Sequence, residues 1–189
     1  MIDMKVRPRI TRFLVPMGKG LAAVGITPAM MTVFGLSITV VGSVLIANSY
    51  LKTGAGVVLI GSALDGLDGS IARVTGTESA RGAFLDSAFD RLGEIAAFAG
   101  LGVASAGEPR ALLLIVLAVG GAMLVPYMRA RAEAQGFAGK GGLMGRAERV
   151  LLFTIGILIG QVEPMLWVIV VTVWFTAGYR FATTYRSIP

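Results

Sequence analysis

Residues 65–90 read DGLDGSIARVTGTESARGAFLDSAFD, four aspartates set between apolar runs. Asp65 and Asp68 are three apart, Asp86 and Asp90 four apart, so on helices each pair shares a face. A bilayer core takes about 20 helical residues to cross. Upstream, residues 53–64 approach that length only if Asp65 and Asp68 continue the same helix just inside the membrane edge. Downstream, residues 83–106 are long enough but carry Asp86, Asp90, Arg91 and Glu94 in their first half. Further out, residues 26–47 hold no charge, and Thr27 and Pro28 suit a helix cap and first helical position. Residues 111–128, 150–162 and 165–181 supply three more candidates, the last two separated by Glu163-Pro164. The expectation is an all-α integral membrane protein, a bundle of six transmembrane helices over residues 26–186 joined by short polar turns.

In the juxtamembrane segment 1–25, Ile10, Phe13, Leu14, Met17 and Leu21 recur at helical spacing, with Arg9, Arg12 and Lys19 off the stripe. Pro8 suits a helix start and Pro16 a kink. We read an amphipathic helix lying on the membrane surface, with a plain basic tail as the alternative. It is not read as a signal peptide, because its apolar residues are interspersed with Arg and Lys. There is no internal repeat and no separate soluble domain, so residues 1–189 are taken as a single membrane domain.

Apolar residues make up 55% of the 189 and charged residues 15%, against about 25% charged in soluble domains. Absence of Cys excludes disulfides and thiolate chemistry, and absence of His removes the usual zinc ligands and an imidazole base. Fifteen of the 17 Lys and Arg residues fall in 1–25, 73–82, 129–149 and 179–189 or at Arg91; Lys52 and Arg110 stand opposite. By the positive-inside rule this predicts a multi-pass protein of the cell membrane with both termini cytoplasmic. The net charge of +6 is then topological, and no nucleic-acid partner is expected.

A charge at the bilayer centre costs about 2.5–3.5 kcal/mol on insertion scales, and four carboxylates also repel one another. Divalent cations offset this better than the few nearby arginines. All-oxygen ligands favour Mg²⁺ or Mn²⁺, and four Asp suit two ions about 4 Å apart, an arrangement used in phosphoryl displacement. Gly69, Ala72 and Gly82 leave room beside the carboxylates, and Arg73 suits a phosphate or a topological anchor. Gly61 and Gly66 fit close helix packing equally well.

The pattern D-x2-D-G-x2-A-R-x8-G-x3-D-x3-D resembles that of the CDP-alcohol phosphotransferases. Asp65, Asp68, Gly69, Ala72, Arg73, Gly82, Asp86 and Asp90 meet it in full. The resemblance implies a homodimeric membrane enzyme that moves a phosphatidyl-type group from a CDP-linked lipid to an alcohol, releasing CMP. It implies Asp65, Asp68 and Asp86 as the main metal ligands and Asp90 as a ligand that also serves as base. Gly69, Ala72 and Gly82 fall on the CDP-lipid side, with Arg73 at its diphosphate.

Residues 127–152, YMRARAEAQGFAGKGGLMGRAERVLL, bear on the acceptor. Paired arginines flank a Gly-rich link, which suits a phosphorylated alcohol. The stretch resembles the inositol-phosphate branch through Tyr127, Arg129, Arg131, Glu133, Arg146, Glu148 and Arg149, with Gly145 where Glu is usual. That implies Arg131, Arg146, Arg149 and Arg180 as the acceptor-phosphate set. The expected partners are CDP-diacylglycerol and inositol 1-phosphate. The alternatives are glycerol 3-phosphate as acceptor, CDP-archaeol as donor, and, from a different class, a cation transporter.

Overall fold

The computed structural model describes residues 14–139 and 141–188. Its regular structure is helical throughout, and no strand occurs among the described residues. Helix α1 covers described residues 14–23. It is followed by α2 (Pro28–Ala47), α3 (Leu51–Asp65), α4 (Asp68–Thr75), α5 (Ala80–Ala104), α6 (Pro109–Ala134), α7 (Arg146–Leu158) and α8 (Val162–Ser187).

Local chemistry sets the boundaries. Thr27 caps α2 by accepting from the Met30 N–H, with Pro28 at the first helical position. Ser79 does the same for α5 by accepting from Gly82, which starts that helix three residues before the expected 83. Pro164 falls inside the first turn of α8, where its missing N–H has no partner to lose. It therefore starts a helix rather than separating two.

The expectation that Asp65 and Asp68 share one helix is corrected: α3 ends at Asp65 and α4 begins at Asp68. Gly66 and Leu67 keep right-handed helical torsions, but the bonding slips to Leu67 N–H with Leu64 C=O and Ser70 N–H with Leu67 C=O, each 3.0 Å. The helix is interrupted without reversing, and Leu51–Thr75 remains one 25-residue apolar rod.

Four rods are long and apolar enough to cross a membrane: α2, α3 with α4, α6 and α8. The other two of the expected six differ for physical reasons. Helix α5 has the length but carries the charged half already noted. Helix α7 has 13 residues, about 20 Å at 1.5 Å per residue, against a core of about 30 Å.

A seam of small residues draws α2 against α3 and α5. A Cβ on Gly42 would lie 2.7 Å from Val58 N, one on Gly54 2.7 Å from Ile46 N, and one on Gly61 2.7 Å from the Gly35 carbonyl. Gly61 is thus a packing residue, whereas Gly66 has room around it. The main core joins Ile46, Val58, Phe98, Leu114, Phe153 and Leu166, with Phe98 and Phe153 edge to face at 5.2 Å. Helices α6 and α8 run parallel. Arg110 and Glu163 pair at 2.9 Å at their starts, and Arg180 Nη1 donates to the Val125 carbonyl at 2.8 Å further along.

A smaller cluster of Met31, Leu67 and Ile71 closes the other end, with Leu14, Leu21 and Ala22 of α1 packed against it. Ser70 Oγ donates to the Leu14 carbonyl at 2.8 Å. Helix α1 continues through Pro16, and Met17 is exposed while Leu14 and Leu21 turn inward. Pro8, Arg9, Ile10, Arg12 and Phe13 lie outside the described residues.

Candidate active site

Four helices meet at the α1 end of the bundle. Asp65 closes α3, Asp68 opens α4, and Asp86 projects from the second turn of α5. One carboxylate oxygen from each lies within 4.8 Å of the others. Helix α2 contributes Thr32, whose buried Oγ1 donates to Asp68 Oδ2 at 2.7 Å. It also contributes Gly35, pressed so closely on Asp65 that a Cβ there would sit 2.8 Å from the Asp65 nitrogen.

Asp90, one turn along α5 from Asp86, lies outside this group of three. Arg146 ties it in: Nη1 donates to Asp65 Oδ2 at 3.0 Å and pairs with Asp90 Oδ1. Arg91 Nη2 also stands 3.5 Å from Asp90 Oδ2. Asp65 is 3% exposed, yet its Oδ1 has no hydrogen-bond partner among the described residues. A buried anionic oxygen left unpaired is costly. Converging carboxylates with such an oxygen fit a hard divalent cation, which takes oxygen donors.

Gly69, Ala72 and Arg73 lie on α4, and Gly82 in the first turn of α5. A Cβ on Gly69 would meet only Arg73 Nη1, at 3.4 Å, and one on Gly82 only the Ser79 hydroxyl, at 3.3 Å. The space beside both glycines is otherwise open, and Arg73 is exposed.

The four acceptor-side arginines separate. Arg146 reaches the aspartates. Arg149 is buried in a two-point pair with Glu94, Nε to Oε1 at 2.5 Å and Nη2 to Oε2 at 2.8 Å. Arg180 spends Nε on the Gly141 carbonyl and Nη1 on that of Val125, pinning the Gly-rich link to the end of the bundle. Arg131 is exposed in the last turn of α6. Gly145 caps the start of α7, its N–H donating to Glu148 Oε2 at 3.1 Å. The first turns of α7 thereby carry Arg146 and Arg149 toward α5.

Two polar partners escaped the sequence reading. Glu94 continues the 86–90 spacing by another four residues, a signal that was available. Thr32 gave none, being a hydroxyl in an apolar helix.

Carboxylates from α3, α4 and α5 at one end of a bundle with four spanning rods define a multi-pass membrane protein with a site for a divalent cation. Residues 25–178 match the family model for CDP-alcohol phosphatidyltransferases. An archaetidylinositol phosphate synthase of Pyrococcus horikoshii is 36% identical over 179 residues, covering 91% of this chain and 90% of that protein. A phosphatidylinositol phosphate synthase of Mycobacterium marinum is 33% identical over 194 residues, covering 96% and 83%. The crystal structure of Mycobacterium tuberculosis phosphatidylinositol phosphate synthase with CDP-DAG bound superposes with a TM-score of 0.86 at 29% identity, covering 92% and 94%. The same enzyme in complex with manganese and citrate gives 0.85, covering 91% and 88%. The chain belongs to the CDP-alcohol phosphatidyltransferase family. It is an enzyme of phospholipid biosynthesis, and the transporter reading is set aside.

Proposed function

We propose that this enzyme transfers the phosphatidyl group of CDP-diacylglycerol to inositol 1-phosphate, giving phosphatidylinositol phosphate and CMP. The observation that carries the acceptor is a pair of arginines at the start of α7. Arg146 Nε and Arg149 Nη1 are both buried without a hydrogen-bond partner among the described residues, Arg146 beside the aspartates and Arg149 about one helical turn further along α7. Unpaired buried guanidinium donors suit a phosphate oxygen, which accepts charge-assisted bonds, and a neutral alcohol gains nothing from them. The relatives named for inositol-phosphate products point the same way.

Asp65, Asp68, Asp86 and Asp90 would hold two Mg²⁺ ions, with Mn²⁺ able to substitute. Bound there, the metals supply charge neutralisation at the transferring phosphate and acidify the acceptor hydroxyl. Asp90 takes the hydroxyl proton as base. Its Arg146 and Arg91 contacts fix the carboxylate in place. Arg73 binds the donor diphosphate, while Gly69, Ala72 and Gly82 make the floor on which the CDP moiety lies. Arg131, Arg146, Arg149 and Arg180 form the acceptor side, Arg180 through the loop it pins.

We place the enzyme in the cell membrane as a homodimer, one domain per chain. The proposed topology has six spans, including α5 and α7, and cytoplasmic termini, with α1 as an amphipathic helix at the surface.

The test is CMP release from CDP-diacylglycerol and Mg²⁺ with inositol 1-phosphate, free inositol or glycerol 3-phosphate offered separately. Release confined to inositol 1-phosphate is expected. Preference for glycerol 3-phosphate overturns the acceptor and leaves the aspartate chemistry standing. Because one relative is named for an archaetidyl product, CDP-archaeol belongs in the same panel as a second donor.

A further inference from the structure

Asp90 and Glu94 stand one turn apart on α5, Arg146 and Arg149 three residues apart on α7. Each pair shares a helix face, and the two faces meet as rungs: Asp90 with Arg146, Glu94 with Arg149. The second rung is shut away from solvent, with Glu94 5% and Arg149 2% exposed. Glu94 takes the guanidinium by one edge, through Nε and Nη2. A guanidinium is planar and rigid, so two bonds along one edge fix where the third nitrogen points. That nitrogen, Nη1, is the one left buried with no hydrogen-bond partner among the described residues. Arg91 Nη1 stands 3.8 Å from the same carboxylate.

An ion pair kept for stability alone does not account for this. Buried donors in folded proteins are nearly always satisfied, and apolar replacements of buried pairs are often neutral or better. A pair that holds a guanidinium and leaves one of its nitrogens unused serves whatever that nitrogen binds.

We propose that Glu94 is a positioning residue for the acceptor phosphate. Its carboxylate occupies one edge of Arg149, which keeps that guanidinium off the aspartates and leaves Nη1 for a phosphate oxygen. The proposal rests on the reading that the acceptor carries a phosphate. Glu94 touches no reacting atom and acts through Arg149.

The experiment compares wild type, Glu94→Gln, Glu94→Asp, Arg149→Ala and the Glu94→Gln/Arg149→Ala double variant. KM is measured for inositol 1-phosphate and for CDP-diacylglycerol, along with the stabilisation against heat that inositol 1-phosphate confers. Glu94→Gln is expected to raise the acceptor KM at least tenfold, to leave the CDP-diacylglycerol KM within twofold, and to lose the stabilisation. The double variant is expected to match Arg149→Ala within twofold, as residues acting through one contact are not additive. Equal rises in both KM values, or losses that multiply in the double variant, overturn the proposal. Glu94→Asp keeps the charge with a shorter reach and is expected to fall between wild type and Glu94→Gln. If Glu94→Gln does not fold, Glu94→Asp must show the same split, and its absence overturns the proposal. The wild-type acceptor panel tests the phosphate, and the variants test Glu94: wild type preferring glycerol 3-phosphate would change the acceptor and leave the Glu94 comparison to be made with that phosphate.

Discussion

Asp65 is 3% exposed, with one guanidinium contact at 3.0 Å and one oxygen that has no hydrogen-bond partner among the described residues. Carboxylates gathered this closely are each other's neighbours, so removing a single one is informative. Asp90→Asn retains the shape of the side chain and removes the base. Turnover is expected to fall by about 10²–10⁴-fold, the usual contribution of general base catalysis. Protection of the protein against heat by CDP-diacylglycerol should persist, and near-normal CMP release would exclude Asp90 as base. Arg149→Ala removes a charged hydrogen-bonding group worth about 1.5–3 kcal/mol, so the acceptor KM should rise roughly 10–150-fold with little change for CDP-diacylglycerol. The aspartates were legible because charges inside apolar runs are rare. Thr32 was not. Thr39 and Ser43 on the same helix bond back to carbonyls four residues earlier, as buried hydroxyls in helices do. Thr32 does so too, at 3.1 Å to Pro28, and only the fold gives it Asp68 as well.

Among the elements, α2 is defined by what it lacks. Gly35 and Gly42, with Gly54 and Gly61 of α3, let two backbones approach until no methyl group fits between them. Gly42→Val is expected to cost about 1–3 kcal/mol through overpacking, read as a lower melting temperature in detergent. Gly56→Ala, on α3 with open space around it, should be neutral or stabilising by up to about 1 kcal/mol. Equal effects of the two would exclude the seam as the cause. Starts were easier to read than interruptions. Thr27-Pro28 announces α2 in the sequence, whereas Gly66 sits at φ −61° and ψ −6°, torsions any residue adopts, so nothing there signals the break before Asp68.

For the whole molecule, the helix pairings sort the ends without reference to charge. Arg110 and Glu163 share one end, and Asp65, Asp90 and Arg146 the other. That agrees with the asymmetry of basic residues along the chain. The chain has no cysteine, so single substitutions report cleanly. Lys52→Cys and Arg186→Cys should label from opposite faces of sealed vesicles, and labelling from one face would overturn the proposed topology. Chelation should abolish CMP release, with Mg²⁺ or Mn²⁺ restoring it; turnover that survives chelation would exclude the metal role. The all-helical, membrane-spanning character was legible from hydropathy. The span count was less so, because α7 ends at Leu158 and the chain turns at Gly160, φ +73°, before α8 begins at Val162.

The contact between Gly35 and the Asp65 backbone has a consequence for ion selectivity. A main chain wedged against another helix cannot retreat, so Asp65 adjusts to an ion only through its own side-chain torsions. Calcium binds oxygen at about 2.3–2.6 Å with six to eight ligands, whereas magnesium holds six at about 2.0–2.1 Å. A ligand whose main chain cannot retreat favours the ion with the shorter bonds. Calcium should therefore compete for the aspartates without supporting turnover, and Gly35→Ala, by prising Asp65 from its seat, should narrow the difference between the two ions.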